Sequence, residues 1–128
     1  LIDAWNIDLK GWDPEFYRNI CGAARKPVLE TIQRTVGKSH VELTNLVIPG
    51  KNDDPATFEE MVKWIRSLNQ DIPLHITRFF PCWHLTDCPP TPLSTLVSLG
   101  QIARKYLSHV KIGNVSEEDL NEYQWVNQ

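Results

Sequence analysis

Acidic and basic side chains interrupt the first apolar segment of the chain at regular intervals. Residues 2–9 alternate as in a strand, so Asn6, Asp8 and Lys10 share one side. A carboxylate accepts hydrogen bonds from an ammonium group, and an ammonium group donates to a carboxylate or a hydroxyl. Asp8 and Lys10 are therefore suited to a zwitterionic ligand. On spacing alone a buried ion pair that satisfies only itself is slightly favoured, because Asp-x-Lys is a very weak motif.

Later segments carry three more polar residues of chemical interest. Glu42 and His75 interrupt two apolar runs, and we expect them to form a satisfied interior polar network. Arg78 ends the second of these runs, where a guanidinium suits an anionic ligand group. A structural salt bridge is an equally good interpretation of Arg78.

The cysteines do not form a recognisable metal or disulfide pattern. The chain has three, Cys21, Cys82 and Cys88, an odd number at unpatterned spacing, so we expect reduced thiols. Cys82, His84 and Cys88 match no zinc spacing, and we expect solvated loop residues there. The sequence also contains neither a glycine-rich phosphate motif nor a Ser-His-Asp elbow.

The elements that must position these residues alternate between strand and helix. We predict strands at 2–9, 40–48, 74–80 and 110–115, with helices that start at Asp13-Pro14, at Pro27, at Asp53 or Asp54, and at Thr91-Pro92. This α/β pattern predicts a parallel sheet, either open and doubly wound or an arc of a barrel. A full barrel takes about 250 residues, so an open sheet fits the length better. We assign 1–115 to this domain and 116–128 to a polar tail, either a terminal helix or a frayed end.

The alternation predicts one polar and one apolar side for the sheet. On the second strand it groups Glu42, Thr44 and Leu46 with Ile48, and on the third it groups His75 and Thr77 with Phe79. If helices cover the apolar side, the polar side faces a shared interior near the strand C-termini, where parallel α/β folds bind ligands.

Composition excludes several classes of partner. The 128 residues have a net charge of −3 and no basic run, which argues against nucleic acid and anionic membranes. No apolar stretch approaches the roughly 20 residues that cross a bilayer. We therefore expect a soluble, cytoplasmic protein with a single domain or part of one.

An ordered series of motifs resembles the middle of radical S-adenosylmethionine (SAM) enzymes of the pyruvate formate-lyase activating-enzyme type. The series covers about residues 1–115 and consists of DAWNIDLK at 3–10, FYR at 16–18 with CG at 21–22, PVLETI at 27–32, LVIPG at 46–50 with ND at 52–53, HITRFFP at 75–81 and PPTP at 89–92. The last two motifs, with GNV at 113–115, resemble the activating-enzyme homologues that occur beside Memo-like proteins.

This resemblance implies a partial (β/α) barrel in which a 4Fe-4S cluster reduces SAM to methionine and a 5′-deoxyadenosyl radical. The protein's task is then to position and shield the cofactor. Asp8 and Lys10 match the Asp-x-Lys that contacts the methionine part of SAM in this family. Because a truncated barrel exposes strand edges, we also expect self-association. The substrate is either a protein or a small molecule.

Four more residues match cofactor-lining positions of the family. Thr44 and Leu46 lie on one such strand, and Thr44 stands where activating enzymes often have Arg. Arg78 and Phe80 align with a strand end near adenine and ribose, where the family often has Pro and His. The resemblance implies a stacking or packing role for Phe80.

The largest departure from the family is the absence of Cys-x3-Cys-x2-Cys, which holds the cluster. This motif would lie upstream of Leu1, so we expect the chain to be the C-terminal part of a longer enzyme and to be inactive alone. One alternative is a small non-catalytic α/β binding or interaction module. A weaker one is an unrelated barrel hydrolase with Asp8 or Glu42 as its base.

Overall fold

Four parallel strands form one sheet whose order follows the chain. The computed structural model describes residues 4–81 and 89–127. The strands are β1 (Ala4–Asp8), β2 (His40–Val47), β3 (Leu74–Arg78) and β4 (Val110–Gly113), and each pairs with the next in the order β1-β2-β3-β4. In a doubly wound sheet the order reverses at a switch point, whereas a barrel adds each strand beside the last. The α/β prediction is confirmed, and the strand order is that of a barrel arc.

Helices follow the strands, and those predicted at Asp13-Pro14, at Asp53 or Asp54 and at Thr91-Pro92 begin at or next to these residues, whereas the helix predicted from Pro27 begins two residues earlier, at Arg25. They are α1 (Pro14–Phe16), which continues into a π-helical turn at Tyr17–Cys21, α2 (Arg25–Val36), α3 (Pro55–Leu68), α4 (Leu93–Arg104) and α5 (Glu117–Glu122). Asp13 accepts a hydrogen bond from the Glu15 amide and Asp54 accepts one from the Thr57 amide, which confirms both predicted caps. None of the described helices has the length and hydropathy that a bilayer crossing requires.

The hydrophobic core lies on one side of the sheet only. Strand residues that alternate toward the helices are buried, among them Val41, Leu43, Leu74, Ile76, Val110 and Ile112. They pack with helix residues that include Ile32, Phe58, Met61, Ile65, Leu96 and Ala103. Residues of the opposite alternation are half-buried or exposed. The helices therefore cover the apolar side, as the alternation predicts, and no described element covers the polar side.

Two residues depart from this alternation. Ile48 and Phe79 are grouped with the polar side by period-two counting, yet both are buried, at 7% and 4% exposure. Each follows the last residue of its strand, Val47 and Arg78 respectively. The grouping is wrong for these two residues because alternation between faces applies only where the backbone stays in the strand.

The tail at 116–127 forms a helix and completes the core. Leu120 and Trp125 are both buried in the core cluster. A Cβ at Gly100 of α4 would lie 2.6 Å from the Trp125 ring, so the helix accepts this ring because it has glycine there. The Arg104 guanidinium covers the ring at 3.4 Å from its centroid. Of the two alternatives for the tail, the structure has the terminal helix.

Candidate functional site

The uncovered side of the sheet carries most of the predicted site residues. We call it the open face and define it by the side chains of Asn6, Asp8, Glu42, Thr44, Leu46, His75, Thr77 and Lys111, none of which is buried. The strand register places Asp8 beside Thr44, Thr44 beside His75, and His75 beside Lys111. Polar side chains therefore form a continuous row across all four described strands.

Asp8 and Lys10 form an ion pair at the C-terminal end of β1. Lys10 Nζ lies 3.1 Å from Asp8 Oδ2, and their side chains are 46% and 60% exposed, respectively. The ion pair expected from spacing alone is present, but it is exposed, whereas that interpretation had it buried. Because both groups remain open to solvent, each keeps hydrogen-bonding capacity for a ligand.

Backbone contacts hold Lys10 in place. Its N–H donates to the Tyr17 hydroxyl at 2.9 Å, and its carbonyl accepts a hydrogen bond from Asn52 Nδ2 at 2.8 Å. Burial raises the pKa of the Tyr17 phenol, so this hydroxyl stays neutral well above physiological pH. The turn after β1 is thus fixed even though the Lys10 side chain is exposed.

Thr44 and Leu46 lie on the open face beside this pair. Thr44 Oγ1 donates to Asn6 Oδ1 at 2.7 Å, which links β2 to β1. Leu46 is half-buried and pairs in register with Thr77, closer to the C-terminal edge of the sheet than Thr44. The structure therefore brings Asp8, Lys10, Thr44 and Leu46 together, while their role in binding a cofactor remains a prediction.

Arg78 and Phe80 form a separate pair at the end of β3. The guanidinium carbon of Arg78 lies 4.9 Å from the centroid of the exposed Phe80 ring. Arg78 Nε donates to the Thr91 carbonyl at 2.9 Å. Among the described residues, no carboxylate lies within 4.0 Å of this guanidinium. By alternation Arg78 shares the side of Leu74 and Ile76, so its side chain is not part of the row that contains Asp8.

Sequence reasoning missed two residues that position these strand ends, and Thr91 is the first. It is fully buried, its Oγ1 donates to the Val47 carbonyl at 2.6 Å, and it accepts a hydrogen bond from the Phe79 amide at 2.9 Å. Thr91 therefore joins the ends of β2 and β3. The only signal in the sequence is its place in the Pro89-Pro90-Thr91-Pro92 motif.

Asn52 is the second missed residue. Its Nδ2 donates to the carbonyls of Lys10 and Leu46, both at 2.8 Å, and its Oδ1 accepts from the Ile48 amide at 2.7 Å. One side chain thus connects the turn after β1 with the end of β2. Two of the four residues that lie together, Lys10 and Leu46, are held by this amide.

We predict that Asn52→Ala lowers the free energy of unfolding by about 1–3 kcal/mol, because two carbonyls and one amide lose their partner. Urea unfolding measures the loss, and hydrogen exchange at the Ile48 amide should become faster. The control is Asn121→Ala in α5, an exposed position. Equal stability of the two variants, with unchanged exchange at the Ile48 amide, would contradict the stabilising role of the Asn52 side chain.

Glu42 connects two histidines on the open face. The Nε2 atoms of His75 and His40 lie 2.5 Å and 3.1 Å from its two carboxylate oxygens. The hydrogen bond with His75, followed by the one with His40, lowers the pKa of the Glu42 carboxyl, and burial opposes this. The hydrogen-bond network expected for Glu42 and His75 is therefore present and includes His40 as well, but it lies on the uncovered side of the sheet and not in the interior.

The lowered pKa of Glu42 predicts a pH-dependent contribution to stability. A carboxyl whose pKa falls on folding stabilises the protein fully above its unfolded-state pKa, near the usual 4.5, and loses this contribution as the pH drops through the folded-state value. The stability difference between the parent protein and Glu42→Gln should thus shrink between about pH 6 and pH 3 in urea unfolding. Glu122→Gln, at an exposed position of α5, should show no such trend. A difference that stays constant or grows toward acid would contradict the assignment.

The described residues do not offer a metal centre. No group of three or more His, Cys, Asp or Glu in 4–81 and 89–127 is arranged to hold a metal ion. Cys21 is half-buried after α1, and burial raises the pKa of its thiol. Cys82, His84 and Cys88 lie outside the described residues.

Comparisons with known proteins give relatives for both sequence and fold. No family model matches the chain. An uncharacterized protein of Methanocaldococcus jannaschii is 41% identical over 127 residues, which cover 95% of this chain and 38% of the relative. The chain therefore spans well under half the length of this curated relative.

Two solved structures share the fold. A domain of pyruvate-formate lyase-activating enzyme from Bacteroides vulgatus superposes with a TM-score of 0.77 at 18% identity, over 88% of this chain and 68% of that one. TYW1 with a lysine-pyruvate adduct bound superposes with a TM-score of 0.56 at 24% identity, over 90% of this chain and 38% of that one. The resemblance carried by the sequence motifs is confirmed at the level of fold, since the chain shares its α/β fold with both structures and has the strand order of a barrel arc.

Proposed function

We propose that this chain is the cofactor-binding part of a radical SAM enzyme and that its open face binds the methionine part of SAM. One observation carries the proposal. The Asp8–Lys10 pair lies solvent-open at the C-terminal end of a strand, on the uncovered side of a parallel barrel arc. Ligands of such folds bind at the C-terminal ends of the strands.

The donor set fits the amino-acid end of SAM. The Asp8 carboxylate suits an ammonium group, and the Lys10 ammonium suits a carboxylate. The Thr44 hydroxyl, which lies beside Asp8, adds a polar contact. The half-buried Leu46, two residues further along β2, adds an apolar one. When bound, SAM would supply the 5′-deoxyadenosyl group as the hydrogen-abstracting radical. The residues of this chain hold and orient the cofactor and shield it from water.

The described residues do not fit the cluster itself, since no suitable group of ligands is present among them. The proposal therefore assigns cluster binding to a Cys-x3-Cys-x2-Cys segment outside this chain. We further propose that the whole protein activates a glycyl radical enzyme, so that its substrate is a protein, and that it is cytoplasmic. Modification of a small molecule is the other substrate class.

Anaerobic reconstitution tests whether the cluster is bound by a segment outside this chain. The isolated chain, treated with iron, sulfide and reductant, is expected to bind less than stoichiometric cluster and to produce no 5′-deoxyadenosine from SAM. A longer protein that joins the same chain to the cysteine segment should do both. A stoichiometric cluster and SAM cleavage by the isolated chain would contradict this assignment. Failure of the longer protein to bind SAM would favour the non-catalytic module.

A further inference from the structure

A small cavity lies on the helix-covered side of the sheet, opposite the open face. It has a volume of about 70 Å³ and lies between the turn after β1 and the first turns of α3. Asn45, Phe16, Phe58 and Met61 line it with buried side chains, whereas the exposed Asp13 and Lys51 contribute to its outer part. At about 10–15 Å³ for each water-sized occupant, the cavity has room for roughly five non-hydrogen atoms.

Asn45 gives this cavity an unmet hydrogen-bonding requirement. It is 1% exposed, and its Nδ2 donates to the Leu9 carbonyl at 2.7 Å. Its Oδ1 is buried and has no hydrogen-bond partner among the described residues. The other buried polar side chain in the described ranges, Thr91, is fully bonded. Because a buried acceptor without a donor is costly, Asn45 Oδ1 calls for a donor that the described residues do not supply.

We propose that this cavity binds a small neutral molecule that pairs one hydroxyl or amide N–H donor with an apolar group. The donor bonds to Asn45 Oδ1, and the apolar group packs against Phe16, Phe58 and Met61. The charged residues of the lining, Asp13, Lys51 and Asp54, are exposed and belong to its outer part. Beside the buried Asn45 an ammonium group would lose its hydration next to a neutral carbonyl and apolar side chains, which disfavours it. Water alone would leave the apolar side chains of Phe16, Phe58 and Met61 without an apolar partner, whereas an organic group covers them.

Met61 makes the proposal directly measurable, because it is the single methionine of the 128 residues. The chain, labelled with ¹³C in the methionine methyl group, is titrated with isobutanol, with methyl isopropyl ether and with isobutylammonium. The first two have the same number of non-hydrogen atoms, but only the alcohol is a donor. We expect a saturable shift of the Met61 methyl signal with isobutanol and about tenfold weaker binding of the ether. The ammonium ion should bind more weakly than the alcohol.

Variants test the role of Asn45. Asn45→Leu should abolish the preference for alcohol over ether, whereas Asn121→Leu at an exposed site should retain it. If Asn45→Leu fails to fold, the comparison of alcohol and ether on the unmodified chain still decides. Equal affinities for the two, tighter binding of the ammonium ion, or no saturable shift with any probe would each overturn the proposal. The last result would mean that only water occupies the cavity.

Discussion

Asp8→Ala and Lys10→Ala are each expected to weaken SAM binding about 10-fold to 100-fold in a protein that joins this chain to its cluster-binding segment. Each substitution removes a charge-assisted hydrogen bond, which is worth about 1.5–3 kcal/mol. Isothermal titration calorimetry under anaerobic conditions measures the dissociation constants. The free energy of unfolding should change much less, because an exposed ion pair contributes roughly 0–1 kcal/mol to stability.

The matched control is Lys38→Ala. This lysine is also exposed, but it precedes β2 and so lies near the opposite, N-terminal edge of the sheet. It should leave SAM affinity unchanged. If Asp8→Ala and Lys10→Ala also bind SAM like the parent protein, the pair has only a structural role. Equal loss of affinity in all three variants would point to a general disturbance of the fold and not to lost contacts with the ligand.

Trp125→Ala is expected to lower the free energy of unfolding by about 3–5 kcal/mol, which is the typical cost of truncating a buried tryptophan. Trp125 is 4% exposed and belongs to the core cluster, packed against Gly100 and beneath the Arg104 guanidinium. Its loss leaves a cavity between α4 and the end of the chain. Chemical denaturation followed by circular dichroism measures the change.

Tyr123→Ala is the control for this prediction. Tyr123 is an aromatic residue of the same segment but is 42% exposed, so its truncation should change stability by about 0.5 kcal/mol or less. Gly100→Ala should destabilise by about 1–3 kcal/mol, since the added methyl would have to displace the Trp125 ring. A small effect of Trp125→Ala would mean that the tail is a dispensable appendage.

Local signals in the sequence predicted the helices well. Asp13 and Asp54 begin their helices as caps. The i, i+3, i+4, i+7 spacing of Phe58, Met61, Val62, Ile65 and Leu68 predicts one apolar side for α3, and the first four are buried while Leu68 is half-buried. These features depend on residues within one or two turns of each other. The pairing of Asp8 with Lys10 was also foreseeable, because the two residues are neighbours on one strand end.

Long-range contacts could not be predicted in the same way. Asn52 is 42 residues from Lys10 and Thr91 is 44 residues from Val47, yet each forms a hydrogen bond to that partner. An asparagine in a turn is ordinarily explained by local turn geometry, so nothing nearby distinguishes a residue that joins two strands. The same limit applies to Asn45, which lies in a largely apolar strand segment. Nothing near it in the sequence indicates that its side-chain oxygen is buried without a partner.

By itself the sequence determined the alternation of strands and helices, the polar side of each strand and the family resemblance, because each of these depends on neighbouring residues or on their order. Only the tertiary structure decided between an open sheet and a barrel arc, since strand order is a property of contacts between distant segments. It also placed Ile48 and Phe79 in the core, although alternation groups them with the polar side, because where a strand ends depends on how the chain packs around it.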